Sequence, residues 1–165
     1  MGQVNLDDSI AEFIRSFASE HGVLRYVYNT PDASTVYYSG PYWDEREIVA
    51  AIKSLLCGKW ISSGEEVRKF ENAFSRRFSD SHSVMVNSGS SANLLMIAAL
   101  KRNFSWLDSD EIILSVVGFP TTLSAIMCNN LMPVFVDIEM ASLNFDVTLI
   151  ERAITGRTRA IFVSP

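Results

Sequence analysis

Cysteine is scarce in this chain, with two in 165 residues, and that excludes a disulfide-stapled scaffold. Cys57 and Cys128 lie far apart in helix-like segments, without the spacing of metal ligands, and are expected to be buried apolar thiols in a reducing compartment. Long hydrophobic runs are also missing. No stretch approaches the roughly 20 apolar residues of a membrane helix, and residues 1–8 lack the basic-then-apolar order of a secretory leader. Positive charge is sparse: 14 Lys and Arg stand against 19 Asp and Glu, and the basic residues are scattered, so no stripe exists to follow a nucleic acid backbone. The expectation is a soluble, cytoplasmic protein with no nucleic acid and no membrane as partner.

What is present is enough apolar material, 48% of the residues, for one modest domain with a real core. Asp7 to His21 places Ile10, Phe13, Ile14 and Phe17 at helical spacing behind an Asp7/Asp8 cap and before Gly22. Residues 24–42 mix aromatics with Pro31, Gly40 and Pro41 and read as an extended or irregular arm. A second helix is expected from Asp44 to Cys57 and a third from Gly64 to Phe78. The third is entered through Ser63-Gly64-Glu65-Glu66, which has capping-box spacing.

From His82 onward short apolar runs alternate with helical stretches. Strands are expected at Ser83–Val86, Glu111–Val116, Val134–Val136 and Ala160–Val163, and helices at Ala92–Leu100, Thr122–Asn129 and Val147–Ile154. Short strands separated by helices are the pattern of βαβ units, so the fold class is α/β with a mostly parallel sheet. The last strand has no helix after it, which predicts an apolar face around Ile161 and Val163 that this chain leaves uncovered, as in a truncated domain.

The sharpest local signal is Val84-Met85-Val86-Asn87-Ser88-Gly89-Ser90-Ser91-Ala92-Asn93-Leu94-Leu95, a strand-like run passing through small residues into a helix. A helix start offers unpaired N–H groups and a partial positive charge; Gly89 permits close approach, and Ser90 and Ser91 can add hydroxyl donors. Those features suit one phosphate. Equally, Ser88 and Ser90 could simply cap the helix while Gly89 makes the turn. Neither a G-x-G-x-x-G fingerprint nor a Gly-Lys-Ser/Thr loop occurs. Phe119, after the next strand, falls at the same end of the sheet, where an aromatic can stack on a planar ring or be an ordinary core residue. His21, His82, Asp137 and the Arg76-Arg77 pair read as surface, capping or turn residues.

Asn87 to Leu95 resembles the phosphate motif of the DegT/DnrJ/EryC1/StrS sugar aminotransferases, especially their branch dehydrating CDP-4-keto-6-deoxyglucose. Gly58-Lys59-Trp60-Ile61-Ser62-Ser63-Gly64 with Val67 and Phe70-Glu71, then Gly118-Phe119-Pro120-Thr121-Thr122, then Pro133 to Asp137 through Leu143-Asn144 to Ile161, agree in order. The resemblance spans about Tyr42 to Pro165 and implies residues 44–165 as part of a fold-type-I transferase major domain, with residues 1–43, read above as a helix and irregular arm, preceding it. It implies pyridoxal phosphate or pyridoxamine phosphate as cofactor, with Gly89 and Ser90 on its phosphate, Ser91 beside them and Phe119 on its ring. It further implies a nucleotide-linked keto-sugar as substrate, in surface polysaccharide or deoxysugar synthesis, and a homodimer when full length, with Trp60–Gly64 near the shared site. The family's catalytic lysine, or the histidine replacing it in the dehydratase branch, has no match here, so no catalytic residue is assigned. The rival expectations are a non-catalytic truncated product that acts as a binding or assembly partner, and an unrelated nucleotide-binding α/β domain.

Overall fold

The computed structural model describes residues 5–22, 44–58, 63–79 and 82–163. The chain divides into two compact units, Met1–Ser83 and Val84–Pro165. The expected arm at 24–42 lies outside the described residues, as do Trp60–Ser62.

In the first unit, helix α1 spans Leu6–His21 and helix α2 spans Glu45–Cys57. The cap of α1 is Asn5, whose side chain accepts from the Asp7 N–H at 3.2 Å, so Asp7 and Asp8 sit in the first turn instead of capping it. Gly22 ends the helix at φ 64°, a left-handed conformation that suits glycine. Helix α2 opens with a reciprocal capping box: the Asp44 carboxylate accepts from the Arg46 N–H at 2.8 Å, and the Glu47 carboxylate accepts from the Asp44 N–H at 2.7 Å. Arg15, late in α1, pairs with Glu45 at 3.2 Å, while Lys53, late in α2, pairs with Asp7 at 2.8 Å. Early-to-late pairing at both ends makes the two helices antiparallel. The pairs are largely exposed and contribute roughly 0–1 kcal/mol each.

Helix α3 spans Glu65–Arg77. Its N-cap is Gly64 and it makes no side-chain cap bond, so the capping box expected from Ser63 does not form. Ser63 sits one residue before the cap, out of the position from which a hydroxyl reaches the first free amides. Phe70, Phe74 and Phe78 recur every four residues and touch in sequence, at centroid distances of 5.8 and 4.5 Å, while remaining about half exposed. Cys57 is exposed at the last turn of α2, contrary to the expectation of a buried thiol.

The second unit runs helix α4 (Gly89–Asn103), strand β1 (Glu111–Ser115), helix α5 (Pro120–Cys128), strand β2 (Met132–Val136), helix α6 (Val147–Ala153) and strand β3 (Thr158–Phe162). The sheet order is β2-β1-β3 and both pairings are parallel. This is the α/β architecture expected from the alternation of strands and helices. Ser83–Val86 is not part of the sheet, which corrects the expected strand there. An apolar, β-branched run supplies propensity, but propensity alone does not place a segment in a sheet, and the β2-β1-β3 ladder does not include those residues.

Central strand β1 is buried throughout its apolar run, with Ile112, Ile113 and Leu114 each at most 3% exposed. Ile112 and Leu114 meet Ile97 of α4, Ala125 and Ile126 of α5, and Leu131, with Trp106, Leu123, Ala160 and Phe162 packed around them. Cys128 ends α5 on its solvent side and is exposed, so the second thiol expectation is also corrected. Ile161 and Val163 are 42% and 54% exposed, as the pattern of the last strand predicted.

The amino end of the sheet is held by two buried carboxylates. Between Glu111 and Ile112 the register on β3 jumps from Thr158 to Ala160, leaving Arg159 as the extra, bulged residue. Arg159 bonds Asp110 at 2.8 and 3.2 Å, and Arg157 bonds Glu111 at 2.8 and 3.1 Å. The Arg159 hydrogen bond, helped by the Leu107 N–H, holds Asp110 below its ordinary 3.8. The Thr155 hydroxyl and then Arg157 hold Glu111 below its ordinary 4.5.

Candidate functional site

The directions of α4 and α5 follow from the bonds at their ends. Ser109 N–H donates to the Asn130 carbonyl at 2.8 Å, and Met132 N–H donates to the Asp110 carbonyl at 2.8 Å. The segment after α4 and the segment after α5 are therefore stapled together where β1 and β2 begin. Both helices run toward the amino end of the strands, and both open at the carboxyl end, where ligands of α/β sheets bind.

At the start of α4, Ser88 is the N-cap. Its Oγ accepts from the Ser91 N–H at 3.2 Å and donates to the Ser91 hydroxyl at 3.2 Å, and its carbonyl accepts from the Ala92 N–H at 3.0 Å. Capping therefore consumes the Ser88 hydroxyl and the Ser91 N–H. The N–H groups of Gly89 and Ser90 and the Ser90 hydroxyl have no acceptor or partner among the described residues, and both residues are exposed. Of the two sequence readings of this turn, Ser88 takes the capping role and Ser90 is left free.

Gly89 has no conformational need to be glycine. Its φ is not positive, and a Cβ built on it would meet nothing within 4 Å. A bare backbone in open space beside two free amides leaves room for an outside group to approach closely. The electrostatics agree. Helices α1, α2 and α3 each carry two acidic residues in the first turn, whereas α4 and α5 carry none, so their positive ends stay uncompensated.

Phe119 occupies the N-cap position of α5, at φ −75° and ψ 135°, with Pro120 at the first helical position. It is 59% exposed and takes no part in the core of the described residues. The Asn129 side chain, at the far end of α5, reaches the Leu94 carbonyl of α4 at 3.3 Å. Counting back at about 1.5 Å per residue puts Phe119 about 15 Å from that contact and Gly89 about 8 Å, on the same side of it, so the start of α5 reaches roughly 7 Å past the start of α4. Gly89, Ser90 and Phe119 thus share one end of the sheet, and Ser91 stands beside them with its N–H committed to the cap and its hydroxyl oxygen accepting from Ser88, which leaves its own O–H to donate.

The described lysines are engaged elsewhere. Lys53 is held above its ordinary value by its bond to Asp7, Lys69 by Glu66 and then Glu65, and Lys101 bonds Asp108 and the Asn129 carbonyl. A nucleophilic lysine needs the opposite shift. His21 and His82 are exposed, Asp137 follows β2 and accepts from the Ile138 N–H, and Arg76 and Arg77 face solvent. Among the described residues no group of three His, Cys, Asp or Glu could hold a metal ion. No described helix is long and apolar enough to cross a membrane. Sequence reasoning missed Asn129 and Lys101 as ties between α4 and α5; the left-handed Asn130, at φ 56°, marks the turn, but only the fold brings Leu94 to it.

Similar proteins carry the same region. The chain is 42% identical over 130 residues to the dTDP-4-dehydro-2,6-dideoxy-D-glucose 3-dehydratase of Saccharopolyspora spinosa, covering 76% of this chain and 28% of that protein. It is 40% identical over 121 residues to the GDP-4-keto-6-deoxy-D-mannose 3-dehydratase of Escherichia coli O55:H7, covering 72% and 31%. The structure of an E. coli GDP-4-keto-6-deoxy-D-mannose 3-dehydratase with bound hydrated PLP superposes with a TM-score of 0.68 at 38% identity, over 76% of this chain and 32% of that one. The chain spans about a third of the length of the curated relatives it matches. Residues 43–164 match a single family description, and the chain belongs to the DegT/DnrJ/EryC1/StrS aminotransferase family.

Proposed function

We propose that the start of α4 holds the phosphate of pyridoxal phosphate or pyridoxamine phosphate, within an enzyme that acts on a nucleotide-linked 4-keto-sugar. The carrying observation is the set of unclaimed donors: the N–H groups of Gly89 and Ser90 and the Ser90 hydroxyl. They converge at an uncompensated helix end in a chain of this family. Charge-assisted bonds from such donors are the stronger kind of hydrogen bond, and the bare Gly89 backbone lets phosphate oxygens come close. Phe119 is the aromatic that would lie against the pyridine ring, and its exposure at the start of α5 supports that reading.

When bound, the cofactor supplies the electron sink that stabilises negative charge on a carbon next to the former ketone. This chain's part is to anchor and orient it. The names of the two dehydratase relatives favour loss of the C-3 hydroxyl over amino transfer as the reaction of the whole protein. A second copy of the whole protein would complete the site, as the resemblance implies.

Titration of the full chain with pyridoxal phosphate, and separately with pyridoxal, tests the reading. Saturable binding of the phosphorylated form, displaced by inorganic phosphate, together with much weaker binding of pyridoxal, is the expected outcome. Equal affinity for the two would remove the phosphate cradle from the account.

A further inference from the structure

The pyridoxal phosphate reading needs two things held at one spacing: an anion site at the start of α4 and an aromatic ring at the start of α5. Ile97 of α4 and Ala125 and Ile126 of α5 share one core cluster, and directional hydrogen bonds add a constraint on how far one helix is slid along the other beyond what that packing supplies. Asn129, the C-cap residue of α5, donates through Nδ2 to the Ala125 carbonyl of its own helix at 2.8 Å and to the Leu94 carbonyl of α4 at 3.3 Å. Its own carbonyl accepts from Lys101 Nζ of α4 at 2.6 Å, and Lys101 is steadied in turn by Asp108. The amide orientation is forced, because the flipped form would set an oxygen against two carbonyls.

We propose that Asn129 is a positioning residue, which sets the axial register of α5 on α4 and thereby the spacing between the Gly89–Ser90 donors and Phe119. It touches neither cofactor nor substrate. Leu94 lies five residues from Gly89, about 8 Å along α4, and Asn129 lies ten residues from Phe119, so the pin sits below both helix starts and acts through the helices as levers.

This inference rests on the pyridoxal phosphate reading, and its test separates the two. Asn129→Asp keeps the size and the backbone contact with Lys101 but removes both donors; Asn129→Ala removes the side chain. A ligand that spans both helix starts should suffer, and one that uses only α4 should not. Pyridoxal phosphate is therefore expected to bind each variant about tenfold more weakly, the scale of a lost ring contact, while inorganic phosphate, titrated alone, keeps its affinity. Unchanged affinity for both ligands would overturn the role, and so would a parallel loss of both, which is the mark of general destabilisation. Failure of the unmodified chain to bind pyridoxal phosphate would sink the site reading and this inference with it, whereas normal binding by all three proteins would sink only the pin.

Discussion

Neighbouring serines at one helix start should respond in opposite ways to the same substitution. Ser88→Ala removes the acceptor of the Ser91 N–H and the partner of the Ser91 hydroxyl. Loss of an N-cap costs about 1 kcal/mol of folding stability. Ser90→Ala removes a hydroxyl with no described partner from an exposed first-turn position. Alanine is the better helix former by a few tenths of a kcal/mol, so stability should hold or rise slightly. Binding should reverse the order. A hydroxyl bonded to a charged group is worth about 1.5–3 kcal/mol, so Ser90→Ala should weaken pyridoxal phosphate binding by roughly 10- to 150-fold. Ser88→Ala should affect binding far less, because its Oγ is already committed to the helix. Urea unfolding followed by far-ultraviolet circular dichroism gives the first quantity, and quenching of intrinsic fluorescence by the ligand gives the second. If Ser90→Ala costs as much stability as Ser88→Ala, or leaves affinity intact, Ser90 is a second cap and the cradle is wrongly assigned.

Two further outcomes concern the frame beneath the site. Ile126, fully buried among Ile97, Ile112 and Leu114, should cost about 3 kcal/mol when cut to alanine, whereas its neighbour Met127, 57% exposed, should cost under about 0.5 kcal/mol; denaturant midpoints of the two variants decide it. The native values of Asp110 and Glu111 lie below the ordinary 3.8 and 4.5, so their stabilising effect is fully present above those values and lost as pH falls through the lowered ones. Unfolding midpoints between pH 7 and pH 3 should fall at the acid end, and Arg159→Ala should flatten that fall; an unchanged slope would contradict the assignment.

Much of this protein was legible before any coordinates, and for a local reason. Helix limits depend on contacts within four residues, so the helix from Asp44 to Cys57 and the stop at Gly22 were legible, whereas the capping box read at Ser63–Glu66 stands instead at Asp44 and Glu47. The alternation of short apolar runs with helical stretches announced a parallel α/β sheet, and the small residues from Ser88 to Ser91 announced a turn into a helix. Composition could not decide what depends on partners distant in the chain. Val84 and Val86 have strand character, yet the sheet forms without them; Cys128 has the chemistry of a core residue, yet its side of α5 faces water. The sequence allowed both Ser88 and Ser90 to cap the helix, and only the folded turn gave the task to Ser88 and left the Ser90 hydroxyl without a described partner. Asn129 carries no signal of its own, because its meaning lies in a carbonyl 35 residues away that packing alone brings within reach. Short-range sterics and hydrogen bonding write the elements into the sequence, whereas pairing, exposure and helix register are settled by which surfaces the finished fold sets against one another.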